Sequence, residues 1–318
     1  MKKKIVSLVL AFMLCLSCVS ALAAEAWTVT CPWAPSGVAA MVNQKAASLS
    51  TTYSQDYVLV ANAEKGDTAT INSWLTKYTE ADPQMCFIGE GMFGITAILD
   101  PERMNFTYDD FEYVENLYSS IFVASARKEL EITSIDALKA YLEEGNQIMV
   151  GTNGATGSEA FLAAALIGAM GYGDQFYLIP YESAAEAAQA VARGEVDIAV
   201  SHQSQILETW QQGGVDVFAA FDGEPIAQGP FKGVEGVGQY GYPYFRNRCF
   251  IFAKAGADEQ KIADLKALYA QILTDEEMVD WLNNTMLLEA DMMTEEEVIA
   301  HIDNVKNIVE EYYDLVAE

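Results

Sequence analysis

Ile148-Met-Val-Gly-Thr-Asn-Gly-Ala-Thr-Gly-Ser-Glu-Ala-Phe161 is the stretch that decides the fold. Ile148 to Val150 is a short apolar run of strand character, and Ala160 to Met170 is apolar and alanine-rich, which favours a helix. Between them lies a loop of Gly, Thr, Asn and Ser. A strand that feeds such a loop and then a helix leaves main-chain N–H groups unpaired at the helix start, where they face an anion. Gly154 and Gly157 allow close backbone approach, and Thr152, Asn153, Thr156 and Ser158 add hydroxyl and amide groups. A plainer reading fits the same residues. Thr156 to Glu159 has the spacing of a capping box, with Glu159 serving the helix end itself. On this stretch alone the two readings stand even.

Outward from it, the pattern repeats. Trp27 to Cys31 reads as a strand, Pro32 to Gly37 as a loop and Val38 to Leu49 as a helix. Tyr57 to Val60 is a strand, Asn62 to Asp67 a polar turn and Thr70 to Tyr78 a helix. Met85 to Ile88 is a strand that ends in Gly89-Glu-Gly-Met-Phe-Gly94. A second series starts near Ser120. It has strands at Ile121 to Ala124, Tyr177 to Pro180, Val196 to Val200 and Val215 to Ala219, and helices at Ser134 to Glu143, Ala184 to Arg193 and Leu207 to Gln212. Residues 222–247 are rich in Gly and Pro and read as irregular. After a strand at Ile251 to Ala253 the chain is helical, with apolar stripes through Ile262, Leu265 and Ile272 and through Val298, Ile302, Val305 and Val309. Capping boxes are expected at Thr274 to Glu277 and Thr294 to Glu297. The alternation predicts an α/β fold with mainly parallel strands. Ligands of such sheets gather at the carboxyl ends of strands. The loops Pro32 to Gly37, Gly89 to Gly94 and Gly151 to Ser158 all lie there, two in the first series and one in the second, so a cleft between two lobes would bring them together.

The 318 residues leave room for two domains. Eighteen basic residues against 46 acidic ones give a formal net charge of −28, which argues against a nucleic-acid partner and reads as solvated surface. Residues 1–24 read as a secretory signal. Lys2, Lys3 and Lys4 open it, Ile5 to Leu16 is too short an apolar run to span a bilayer comfortably, and Ala21-Leu-Ala23 offers small residues for cleavage near Ala23 or Ala24. The mature protein is then expected in the periplasm. A lipid anchor on Cys18 is the minor alternative, since Cys15-Leu-Ser17 is a poor context for it. Cys31, Cys86 and Cys249 remain, an odd number within apolar runs, and are expected as buried thiols rather than a disulfide framework. Only His202 and His301 are present, and no Gly-x-Ser-x-Gly, His-Glu-x-x-His or Walker loop occurs. No metal, cofactor or enzymatic activity is therefore expected. Gly89 to Gly94 matches Gly-x-Gly-x-x-Gly, but so does Gly236 to Gly241 ahead of Pro243, and Pro101 interrupts the unit that a dinucleotide site needs.

Several segments, taken in order, carry a family resemblance. They are Pro32-Trp33 with Ser36-Gly37, Asn105 to Val114, Val150 to Ser158, Ile179-Pro-Tyr181 with Ala190 and Gly194-Glu-Val-Asp197, and Phe252-Ala-Lys-Ala-Gly256. Together they resemble the Bug family, the extracytoplasmic solute receptors of tripartite tricarboxylate transporters, from about Trp27 to about Ile302. The resemblance implies a two-lobed periplasmic-binding-protein-like fold of type II, monomeric, with the ligand cleft between the lobes. It implies capture of a small carboxylate by backbone amides, hydroxyls and bridging waters, and delivery to the membrane subunits of an ion-driven transporter. The expected domains are residues 25–119 with 223–318, and residues 120–222. The expected ligand-binding residues are Trp33, Ser36, Gly37, Glu90, Gly91, Met92, Thr152, Asn153, Thr156, Gly157, Ser158, Tyr181, Ser201 and His202. The chain departs from the family pattern at Ala40, at Ala63 to Gly66, at Glu90, at Glu159 and near Ser201-His202. Carboxylates at Glu90 and Glu159 would repel a polyanion, so the expected guest is a monocarboxylate, an amino acid or another ligand less charged than citrate. The rival readings of the same cleft are an exported enzyme using His202 with a carboxylate, and a ligand-binding sensor subunit.

Overall fold

The computed structural model describes residues 24–154 and 157–316. The expected signal segment up to Ala23, with Cys18, and the candidate Thr156 lie outside the described residues. Ten strands are found among the described residues: β1 (Glu25–Cys31), β2 (Tyr57–Ala63), β3 (Gln84–Gly89), β4 (Phe111–Ser120), β5 (Phe122–Arg127), β6 (Ile148–Asn153), β7 (Phe176–Tyr181), β8 (Ile198–His202), β9 (Val215–Ala220) and β10 (Asn247–Lys254). The main helices are α1 (Val38–Tyr53), α2 (Thr68–Lys77), α3 (Ile135–Glu143), α4 (Ser158–Ala169), α5 (Ala184–Ala192), α6 (Gln203–Gln211), α7 (Glu259–Leu273), α8 (Glu276–Asp280), α9 (Glu295–Glu311) and α10 (Tyr313–Val316).

The strands form two sheets, ordered β2-β1-β3-β10-β4 and β7-β6-β8-β5-β9. Both follow one plan. Three parallel strands come first, and the fourth is antiparallel and arrives from the other lobe: β10 beside β3, and β5 beside β8. The chain is thus a two-lobed α/β protein, as expected. It crosses between lobes twice, at Ile121 between β4 and β5, and just before β10. The crossings are neighbours, since Asn247 pairs with Ser120.

Strand alternation places successive residues on opposite faces of each sheet. In β3, Met85 and Phe87 join the core under α1 and α7, while Cys86 and Ile88 join the aromatic core of Phe93, Phe111, Phe250 and Phe252. In the second sheet, Ile198 and Val200 face α3 and α4, and Ala199 faces α5 and α6. All three described cysteines are buried free thiols, as their apolar contexts predict.

Three departures from the sequence reading have physical causes. β4 is not anticipated because Glu112, Glu115 and Asn116 break its apolar pattern. The strand buries Glu115 by giving its carboxylate three donors: Tyr113 Oη at 3.2 Å, Asn116 N at 3.0 Å and Met293 N at 3.2 Å. Residues 223–245 do not join the first lobe as expected. Ile226, Phe231, Val237 and Phe245 sink into the cores of the second. Finally, α9 belongs to both lobes, with Val298 and Ile302 in the first and Val305 and Val309 in the second. The reason lies in α4. All of its residues from Ser158 to Gly168 are buried, so it needs cover on the side away from its sheet, and the end of the chain supplies it.

Candidate functional site

A cavity of about 560 Å³ opens between the lobes, within the range of small-molecule sites. Its first-lobe wall comes from the loops after β1, β2 and β3: Trp33 and Gly37, Lys65 and Asp67, then Glu90, Gly91 and Met92. Its second-lobe wall comes from the loops after β6, β7 and β8: Asn153, Gly157, Ser158 and Glu159, then Tyr181 to Ala184, then His202 and Gln205. Tyr118, Phe122, Asn247 and Cys249, on the crossover strands, form the back. The strand-end loops therefore do share one hollow.

Of the expected ligand-binding residues, Trp33, Gly37, Glu90, Gly91, Met92, Asn153, Gly157, Ser158, Tyr181 and His202 line it. Ser36, Thr152 and Ser201 do not. Ser36 is exposed on its turn. Thr152 is fully buried and spends its hydroxyl on the Gly154 carbonyl at 2.7 Å, holding the loop instead of facing the cavity. Ser201 points into the interior of its strand, also fully buried. Among the lining residues that sequence reading missed are the polar side chains of Lys65, Asp67, Arg103, Gln205 and Asn247. Each lies outside the three glycine-bearing loops on which that reading concentrated.

The capping box read at Thr156 to Glu159 rests on Thr156, which lies outside the described residues. α4 starts at Ser158, and its N-cap, Gly157, has no side chain to offer. The Glu159 carboxyl instead accepts from its own backbone N–H at this helix start. By contrast, the box at Thr294 and Glu297 forms as expected, and the cap of α8 is Asp275 rather than Thr274. Gly91 matters for close approach. A Cβ there would meet Ser158 Oγ at 2.7 Å, so the two lobes touch at this point only because position 91 has no side chain.

Two buried carboxyls dominate the electrostatics. Glu90 is fully buried and accepts from Asn247 Nδ2 at 2.9 and 3.2 Å, Arg248 N at 2.8 Å and, across the cleft, Ser158 Oγ at 3.1 Å. Burial pushes it up to about 6 against those donors. Glu159 is 6% exposed, and burial pushes it up to about 7, with the charge of Glu90 adding to the shift. His202 packs against Phe122 with ring centroids 4.6 Å apart, and its Nδ1 lies 2.8 Å from Ser120 Oγ. Burial pushes it down to about 3, so it is a neutral ring at physiological pH.

Nearer the mouth, Lys65 reaches from the first lobe to Glu182 of the second at 2.7 Å. Arg103 lies 3.4 Å from Asp67, whose backbone holds φ +50° and ψ −129°, a strained conformation for a residue with a side chain. Among the described residues, no helix is long and apolar enough to cross a membrane.

Residues 55–308 match the model of the family described as "Tripartite tricarboxylate transporter family receptor". No curated protein matches the sequence. Solved structures share the fold. Rpa4515 of R. palustris, described with adipate, is 15% identical, with 91% of this chain and 96% of that chain covered and a TM-score of 0.80. MatC of Rhodopseudomonas palustris, described with bound malate, is 17% identical over 92% of this chain and 98% of that chain, with a TM-score of 0.75. The periplasmic binding protein BugD is 16% identical over 92% and 98%, with a TM-score of 0.78.

Proposed function

The chain belongs to the tripartite tricarboxylate transporter family of receptors, and from that premise we propose that it is an extracytoplasmic receptor for a small carboxylate of low charge. The guest enters between the lobes, the lobes close on it, and the loaded receptor delivers it to the membrane subunits of such a transporter. One observation carries the reading. A hollow of about 560 Å³ is walled by strand-end loops of both lobes, with the start of α4 at its edge. A hollow of that size and build suits a small carboxylate, and the adipate and malate described with similar structures are of that chemical class. Glu90 and Glu159 disfavour tricarboxylates, because a third guest charge would meet two acids in a dry site.

The rival reading of an exported enzyme rests on His202. His202 is held neutral by burial, so it is a poor general base near neutral pH. The test is a thermal-stability panel of mono-, di- and tricarboxylates and amino acids, with product analysis on every sample. Binding to the native state alone stabilises by about 2.7 kcal/mol at a hundredfold excess over Kd. The reading expects saturable stabilisation by a mono- or dicarboxylate or an amino acid, without turnover. Turnover abolished by His202→Ala, or stabilisation by no carboxylate at all, would refute it.

A further inference from the structure

We infer that Glu90 and Glu159 form a subsite for an ammonium group, so that the guest is an amine-bearing carboxylate rather than a dicarboxylate. The inference rests on the receptor reading above and names the chemical class that the same cavity accepts.

Three observations lead there. First, Glu90 occupies the place of a guest anion. From the end of β3 it reaches across the cleft to Ser158 at the first turn of α4, and it also takes the Asn247 amide and the Arg248 N–H. The chain's own carboxylate already satisfies these donors, so a second carboxylate at this end would find them occupied. Second, the acceptors around it want donors. Because Asn247 donates its amide to Glu90, its Oδ1 is fixed as an acceptor, and that oxygen is buried with no hydrogen-bond partner among the described residues. Asn247 itself is 7% exposed and lines the cavity. Glu159 brings a second buried carboxyl from the opposite lobe. An ammonium carries three N–H donors and one positive charge, which is what two carboxylates and an orphaned carbonyl lack. Third, the cations on the lining are engaged elsewhere. Lys65 pairs with Glu182 and Arg103 with Asp67. The nearby walls are Trp33, Tyr118 and Phe122, whose ring faces attract a cation. A zwitterion then places its ammonium at Glu90 and Glu159 and turns its carboxylate toward the rest of the lining, away from these two acids.

The test uses matched pairs in which an ammonium stands where the other member has a carboxylate or a hydroxyl: β-alanine against succinate, γ-aminobutyrate against glutarate, and alanine against lactate. Each is titrated into the full mature chain by calorimetry at about pH 8, above the range of both carboxyls. In every pair that binds, the amine-bearing member is expected to bind at least about tenfold tighter. Glu90→Gln should erase that preference, and Glu159→Gln should reduce it. Gln keeps the shape of Glu90, its Oε1 can accept from Arg248 N and Asn247 Nδ2, and its amide can donate to Ser158 Oγ. Should either variant fail to fold, the wild-type pairs and the other variant still decide. Tighter binding of the dicarboxylate or hydroxy acid, or a preference unchanged in both variants, would overturn the ammonium subsite while leaving the carboxylate receptor standing. Butylamine binding as tightly as γ-aminobutyrate would keep the subsite and remove the carboxylate reading. If no member of any pair binds, and no carboxylate stabilises the fold, both fall.

Discussion

Glu159 is a side chain that the sequence leaves between two roles. Its spacing from Thr156 invited a capping box, because a carboxyl three residues after a hydroxyl usually turns back on the helix start. In the fold it lies at the cavity, and the helix begins at Ser158 with Gly157 as its N-cap. Glu90 was legible as an oddity in a glycine loop. Its partners were not, since Asn247 and Arg248 lie 157 and 158 residues away in the chain. The raised carboxyl of Glu159 gives a signed prediction. Folded, it titrates at about 7, against an ordinary 4.5. Below that ordinary value both states hold the proton and nothing is lost. As pH rises from 4.5 to 7 the folded state keeps a proton that the unfolded state releases, so stability falls through this window and levels off above it. Glu159→Gln should flatten that slope and stabilise the ligand-free protein near neutral pH by up to about 3 kcal/mol. Urea unfolding of both proteins at about pH 5 and about pH 8 checks it. A variant that retains the full slope would contradict the assignment.

Most elements were visible from strand–loop–helix alternation, and the exceptions share a cause. β4 hides its burial behind Glu115 and Asn116, whose polar groups also draw on distant partners, Met293 N and the Asp291 carbonyl. The apolar stripe of α9 was plain from the sequence, but a stripe does not say which core it covers, and this one covers two. The contact depends on Gly94, just after β3. A Cβ at that position would lie 2.6 Å from Val305 Cγ1 and 3.0 Å from Val305 Cβ. Valine is stiff at χ1, so the helix itself would have to shift. Gly94→Ala is therefore expected to destabilise the fold by about 1–3 kcal/mol, with Val305→Ala in the same chain recovering part of the loss. Denaturation of the single and double variants measures this. Strict additivity would show that the two positions do not meet.

Over the whole molecule, the two sheets share one strand order, and each borrows its antiparallel strand from a crossing near the other. This pairs the crossings at Ser120 and Asn247 behind the cavity and leaves the far ends of the lobes free to part. Arg246 sits at that joint. It reaches Asp222 at 2.9 Å and Glu289 at 2.7 Å, tying the end of the second lobe to the helical end of the first. At the mouth the pair Lys65–Glu182 is exposed on both sides, so it contributes little to stability and acts on opening. Lys65→Ala should leave the unfolding midpoint nearly unchanged and speed ligand release at low salt. That difference should fade as salt screens the pair, and stopped-flow release across a salt series reads it. An unchanged release rate at low salt would mean that the pair plays no part in closure. The sequence foretold two lobes and a shared hollow, because strand ends and glycine loops are local features. The crossover of 223–245 into the second lobe was beyond its reach, because Phe231 and Phe245 carry no local mark of the core they enter.

The central claim is that one guest is gripped from both lobes at once. Amide hydrogen exchange, compared with and without saturating ligand, tests it most directly. The account predicts protection rising together in the loops around Glu90 and Gly91, around Gly157 and Ser158, and around Asn247. Protection confined to one lobe, or lying away from these loops, would contradict it.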